Sequence, residues 1–81
     1  MHYVYLIKSI KSQRQRYTGV TEDLRQRLAD HNAGRSVHTA LHRPWELVVY
    51  VAFADKAKAL AFERYLKVGS GHAFARRHFW E

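Results

Sequence analysis

The spacing of apolar residues along this chain shifts between strand-like and helix-like runs, and those runs predict its elements. His2 to Lys8 is aromatic and β-branched with strand-like alternation, and Arg16 to Val20 repeats that character in a shorter run closed around Gly19. The polar, basic stretch between them predicts a hairpin connection with an exposed tip. Thr21, Glu22 and Asp23 place acids and a capping residue at a helix start. That helix runs to about Asn32, with Leu24 and Leu28 as its buried stripe and Gly34 as its stop. Arg35 to Pro44 reads as a basic loop carrying two histidines. Trp45 to Phe53 is the most apolar run and reads as a buried strand, central in the sheet or beside the first hairpin. Asp55 then caps a second helix to about Val68, with Ala59, Phe62 and Leu66 inward. Gly69-Ser70-Gly71 is expected to break it, and His72 to His78 to form a last short helix. The order β-β-α-β-α with a short C-terminal helix predicts an α/β fold. Its small three-stranded mixed sheet is flanked by helices, in one domain over residues 1–81.

Helical phase singles out three polar residues. At about 100° per residue, Arg27 and His31 fall beside the Leu24–Leu28 stripe, while Arg25, Gln26 and Asp30 point away. Glu63 borders the inward stripe of the second helix. Ionisable groups near a core are costly unless paired, so their joint placement points to a site. Each also has an ordinary reading. Arg27 could lay its stem on the core and snorkel outward, His31 could face a helix C-terminus, and Glu63 could pair with Lys67. With Tyr5 and Tyr17 ending and opening the two strand runs, the set becomes two phenols, a guanidinium, an imidazole and a lone carboxylate. Those groups suit metal-assisted phosphodiester hydrolysis.

Charge strengthens that direction. The 81 residues carry 14 Lys/Arg against 7 Asp/Glu, a net charge of +7, which favours a polyanionic partner such as nucleic acid. The absence of cysteine excludes disulfides and thiolate zinc sites. No apolar run approaches the ~20 residues of a membrane span. No secretory signal pattern opens the chain, so a cytoplasmic location is expected. His38 and His42 are four apart but lie in a loop before Pro44, and rimming a nucleic-acid groove suits them better than binding zinc.

Tyr3-Val4-Tyr5 followed by Tyr17-Thr18-Gly19 resembles the paired signature of the GIY-YIG nuclease superfamily. The resemblance continues through Asp23-Leu24-Arg25-Gln26-Arg27-Leu28-Ala29-Asp30-His31-Asn32. It resumes at Phe53-Ala54-Asp55, Ala59, Glu63 and Leu66-Lys67, so it covers nearly the whole chain. Within the superfamily the chain is similar to small single-domain proteins related to the nuclease domain of bacterial excision-repair endonucleases. Tyr3 stands where the first motif has glycine and Thr18 where the second has isoleucine; neither side chain is a catalytic one. The resemblance implies a metal-dependent endonuclease hydrolysing DNA phosphodiesters, in DNA repair or recombination. The alternative is a nucleic-acid-binding module of the same fold with little or no catalysis.

By that resemblance the catalytic set is Tyr5, Tyr17, Arg27, His31 and Glu63. A phenol of ordinary pKa ~10 is a poor base unless a cation favours its phenolate. Tyr17 is expected to deprotonate a water, directly or with His31, while Tyr5 orients the water or the phosphate. Arg27 is expected to neutralise phosphoryl charge. Glu63 is expected to hold one Mg²⁺ (or Mn²⁺), an ion that commonly takes one carboxylate plus waters and phosphate oxygens. Arg35, His38, His42, Arg43, Lys67, Arg76 and Arg77 are the expected nucleic-acid contacts. The partner is DNA, with RNA still open, and the chain is expected to be a monomer or weak homodimer.

Overall fold

Val4, Leu6 and Ile7 are wholly buried because their strand has a neighbour on each edge and a helix layer on each face. The computed structural model describes residues Met1–Glu81. Strand β1 (His2–Ser9) is the middle of a three-stranded sheet, between β2 (Arg16–Thr21) and β3 (Trp45–Phe53). It pairs antiparallel with both, setting Tyr5 opposite Gly19 on one side and opposite Tyr50 on the other. The sheet is therefore antiparallel throughout rather than mixed. β2 and β3 run in the same direction, but β1 separates them, so no parallel pair exists.

Alternation along β1 divides the core in two. Val4 and Leu6 pack with Ala59, Leu66 and Ala75, toward helix α2 (Lys56–Lys67) and helix α3 (Gly69–Ala75). Tyr5 and Ile7 pack with Trp45, Tyr17, Leu24 and Leu28, toward helix α1 (Leu24–Ala33). Each fully buried aliphatic side chain contributes roughly 1.5–3 kcal/mol. β3 lies beside the hairpin as an edge strand and is not the buried element its composition suggests. Trp45 is buried, whereas Leu47 and Tyr50 are exposed. Its apolar run matches that of β1 in character, but one edge of β3 has no strand beside it.

Both long helices start as the sequence dictates. The Asp23 carboxylate accepts from the Gln26 backbone N–H at 3.0 Å, and Asp55 accepts from that of Ala57 at 2.9 Å. Each cap is worth about 1 kcal/mol. Gly34 ends α1 in the left-handed region, φ 80°, where a side chain would be strained. The C-terminal part differs from expectation. Only Val68 is extended between α2 and α3, and Gly69-Ser70-Gly71 forms the first turn of α3 instead of a break. Gly71 is there for proximity: a Cβ on it would stand 1.7 Å from the Tyr65 carbonyl oxygen. A π-helical turn over Arg76–Trp80 follows. The 35–44 loop contains a short 3₁₀ turn, Ala40–His42. It is tied down because Asn32 bonds the Trp45 backbone twice, accepting from its N–H at 2.5 Å and donating to its carbonyl at 3.1 Å.

Candidate active site

The pairing register of β1 and β2 brings the two phenols together. Tyr5 and Tyr17 are on the same face, two residues apart in register, with ring centroids at 6.3 Å. Gly19 makes this possible, since a Cβ there would sit 2.6 Å from the Tyr5 hydroxyl. α1 crosses this face and delivers His31, the only fully buried residue of that helix, with its ring 5.1 Å from Tyr17 and 5.7 Å from Tyr5.

His31 is held at both ring nitrogens. Its Nε2 is 2.8 Å from the Tyr5 hydroxyl and its Nδ1 2.6 Å from Thr39 Oγ1. The Thr39 hydroxyl donates to the Ser36 carbonyl at 3.5 Å, so it accepts from His31 Nδ1–H. Nε2 then carries a lone pair, and the Tyr5 hydroxyl donates to it. The Thr39 carbonyl in turn accepts from the Trp45 indole at 2.8 Å, fixing the loop to β3. Burial, and then the positive charge of Arg27, lower the His31 pKa against a smaller opposing effect of Asp30. The imidazole is therefore neutral near pH 7, as a proton acceptor must be.

Arg27, half-buried one turn before His31, lies against the same phenols. Burial raises the Tyr5 pKa, and the Arg27 guanidinium offsets only part of that rise. Burial likewise works against the Arg27 charge, but the neighbouring phenols outweigh it and its pKa is raised. Arg25 is exposed and lines a separate cleft with Tyr3, Leu24 and Tyr50. Sequence reasoning joined His31 to Tyr17; the hydrogen bond goes to Tyr5.

Glu63 arrives from the other side of the sheet. It stands on α2, which packs on the Val4–Leu6 face against β1 and the edge strand β2. Its carboxylate is near enough to push the Tyr5 pKa upward, although its direct partner is Lys67, at 2.6 Å. Tyr5, Tyr17, Arg27 and His31 thus gather on the α1 side of the sheet, and Glu63 comes from the helix on the other. No three His, Cys, Asp or Glu side chains are grouped to hold a metal. Glu63 already accommodates one cation, the Lys67 ammonium, on a side chain only 18% exposed. A single hard oxygen donor of this kind fits a Mg²⁺-like ion that takes its other ligands from water and phosphate.

Of the expected nucleic-acid contacts, Lys67 and Arg76 line one cavity on the α2–α3 side, and the others are dispersed. Arg35 pairs with Asp30 at 2.8 Å, His38 is exposed and His42 half-buried. Arg43 leans over Gly34. Arg77 is exposed, and Arg76 lies 3.7 Å from Glu81. Sequence reasoning missed Thr39, Ser36 and Asn32. It singled out the histidines on either side of Thr39, whereas the buried polar residue is the threonine between them. Nothing in a loop's composition signals that burial.

Residues 1–73 match the GIY-YIG catalytic domain model. The chain is similar to the structure-specific endonuclease subunit SLX1 of Candida dubliniensis, 39% identical over 93% of this chain but 27% of that protein. It is also similar to a UPF0213 protein of Lacticaseibacillus paracasei, 42% identical over 69% of this chain and 64% of that one. A third relative is a UPF0213 protein of Staphylococcus haemolyticus, 37% identical over 85% of this chain and 83% of that one.

Proposed function

Since the chain belongs to the GIY-YIG family by the match of its first 73 residues to that family's catalytic domain, we propose that it is a metal-dependent DNA endonuclease. The observation that carries this reading is the chain from the Tyr5 hydroxyl through His31 to Thr39. A neutral imidazole aimed at a phenol is the pairing that proton transfer from that phenol requires. The SLX1 relative's description as structure-specific favours selection of the substrate by DNA shape, and its description as a subunit favours a role within a larger assembly.

Tyr5 replaces Tyr17 as the base in this reading. An attacking water gives a proton to the Tyr5 oxygen as the Tyr5 proton passes to His31 Nε2, so no free phenolate is required. Thr39 stabilises the resulting imidazolium by accepting from Nδ1–H. Tyr17 orients the water or the phosphate beside Tyr5. Arg27 neutralises charge that grows on the phosphoryl oxygens, an effect strongest in the transition state. Glu63 would hold Mg²⁺ or Mn²⁺, which when bound supplies charge stabilisation at the leaving oxygen. The Glu63–Lys67 pair favours the rival reading, a binding module whose carboxylate is merely paired.

Nicking assays on supercoiled, branched and single-stranded DNA, with and without Mg²⁺ or Mn²⁺, separate the two. Cleavage by the parent should require the divalent ion. Glu63→Ala should abolish cleavage yet leave DNA binding intact or tighter, because a negative group leaves a basic surface. Arg27→Ala should lower turnover by at least tenfold, and Arg25→Ala by far less. Parent protein inert on every form with either ion overturns the nuclease reading in favour of the binding module, whereas Glu63→Ala and Arg27→Ala as fast as parent overturns the roles given to these two residues.

A further inference from the structure

β2 presents successive side chains to opposite faces, so Tyr17 points to the tyrosine–histidine cluster while Arg16 and Thr18 point to the α2–α3 side. There they line a cavity of about 220 Å³ together with Lys67, His72, Arg76 and Trp80. No acidic side chain lines it. Two of its cations have carboxylate neighbours outside the lining: Lys67 at Glu63, and Arg76 at Glu81 at 3.7 Å. Arg16 has no carboxylate partner; its guanidinium lies 5.1 Å from the centre of the Trp80 ring, an arrangement that orients a planar cation without neutralising it. Three permanently charged side chains, Arg16, Lys67 and Arg76, lining one small cavity repel one another. An anion at their centre relieves that repulsion.

We propose that this cavity binds an internal backbone phosphate of the nucleic-acid strand, flanking the one that reacts beside Tyr5 and Tyr17. This rests on the nuclease reading and extends it to a path for the strand. The strand crosses the β2 edge, with Tyr17 on one side and Arg16 and Thr18 on the other, and passes Glu63 on the way. Lys67 joins the two places, because one ammonium both touches the Glu63 carboxylate and lines the cavity. Arg16, His72 and Trp80 thereby become strand-binding residues, although composition alone does not mark them among so many basic and aromatic positions.

The test is fluorescence anisotropy with labelled branched and duplex DNA at several salt concentrations, without divalent metal. The Arg16→Gln/Arg76→Gln double variant should bind several-fold more weakly. Its slope of log affinity against log salt should be shallower by about 0.9, the value for one phosphate left unneutralised on duplex DNA. Arg14→Gln, on the exposed hairpin connection, should change the slope far less. Arg16→Lys, which retains charge, should restore most of the affinity, and thermal unfolding of each variant checks that the fold survives. A methylphosphonate replacing one phosphate flanking the cleavage position should weaken the parent and have no further effect on the double variant. Oligonucleotides with a 5′-phosphate and a 5′-hydroxyl should bind alike, and millimolar inorganic phosphate should not compete. A double variant with the parent's slope overturns the subsite while leaving cleavage by the parent untouched. Dependence on a terminal phosphate, or competition by free phosphate, overturns the assignment to an internal one. A parent that binds no DNA removes both this proposal and the nuclease reading.

Discussion

Thr39 shows how much of the candidate site depends on a residue with no chemistry of its own. Wholly buried, it accepts from His31 Nδ1–H and so keeps the ring proton off the Nε2 that faces Tyr5. Thr39→Val keeps the shape but removes the acceptor, freeing His31 to place its proton on Nε2. The Tyr5 hydroxyl would then have no acceptor in the ring. Turnover should fall by roughly 10²–10⁴, the usual worth of a positioned acid–base group. The loss of a buried hydrogen-bond partner should lower stability by about 1–3 kcal/mol. Thr39→Ser, which restores the hydroxyl, should recover most of the activity, and that recovery separates positioning from packing. Tyr5→Phe should match Thr39→Val in turnover; if Tyr17→Phe alone is the damaging change, the base is Tyr17 after all.

At the scale of elements, the join of α2 to α3 leaves no room for a side chain at Gly71. The Tyr65 carbonyl oxygen occupies the space that a Cβ on Gly71 would need, and that oxygen is backbone, so it cannot rotate away. Gly71→Ala should force the two helices apart and cost at least the ~1–3 kcal/mol of an overpacked core. Gly69→Ala meets no atom within 4 Å, so its penalty comes only from φ +55° at that position. Thermal unfolding of both should rank Gly71→Ala as the more damaging. The opposite ranking would mean that α3 is held by its backbone conformation more than by its packing on α2. α3 also carries one wall of the phosphate cavity, so Gly71→Ala should weaken DNA binding as well.

For the molecule as a whole, protonation and charge act in the same direction. His31 is the only fully buried histidine of the six, and its pKa is lowered in the folded protein by burial and by Arg27. In the unfolded chain it titrates near ~6.5. Above that value both states are neutral and His31 contributes no pH dependence. As pH falls below it, the unfolded chain takes up a proton that the folded one refuses, so stability declines until the folded pKa is reached. Acid adds further positive charge to a chain already at +7. Melting temperature should therefore fall from about pH 6.5 downward, and His31→Gln should flatten the fall relative to its own value at pH 7.5. An identical slope in parent and variant would assign the acid sensitivity to the remaining charges.

The elements were legible in the chain alone, because their signals are local. Asp23 and Asp55 cap helices through backbone groups two or three residues away, Gly34 ends α1 through its own φ, and the hairpin brings Tyr5 and Tyr17 to one face by period-two alternation. Helical phase likewise placed Arg27 and His31 toward the sheet and Arg25 away from it. Assembly settled whatever depends on which element lies next to which. Val4–Ile7 and the apolar run of β3 read alike, and only the strand order β2-β1-β3 makes the first a core and the second an edge. Glycines at 69 and 71 read as a break, until the approach of Tyr65 makes one of them a packing necessity. The partner of His31 could not be chosen from spacing, because two phenols stand within reach and the choice is made by a loop folded beneath the ring. Glu63 reads as a neighbour of the tyrosines but comes from the opposite face, because α1 and α2 cover different sides of one sheet. Local hydrogen bonds and side-chain periodicity are properties of a short segment; burial and proximity belong to the assembled molecule.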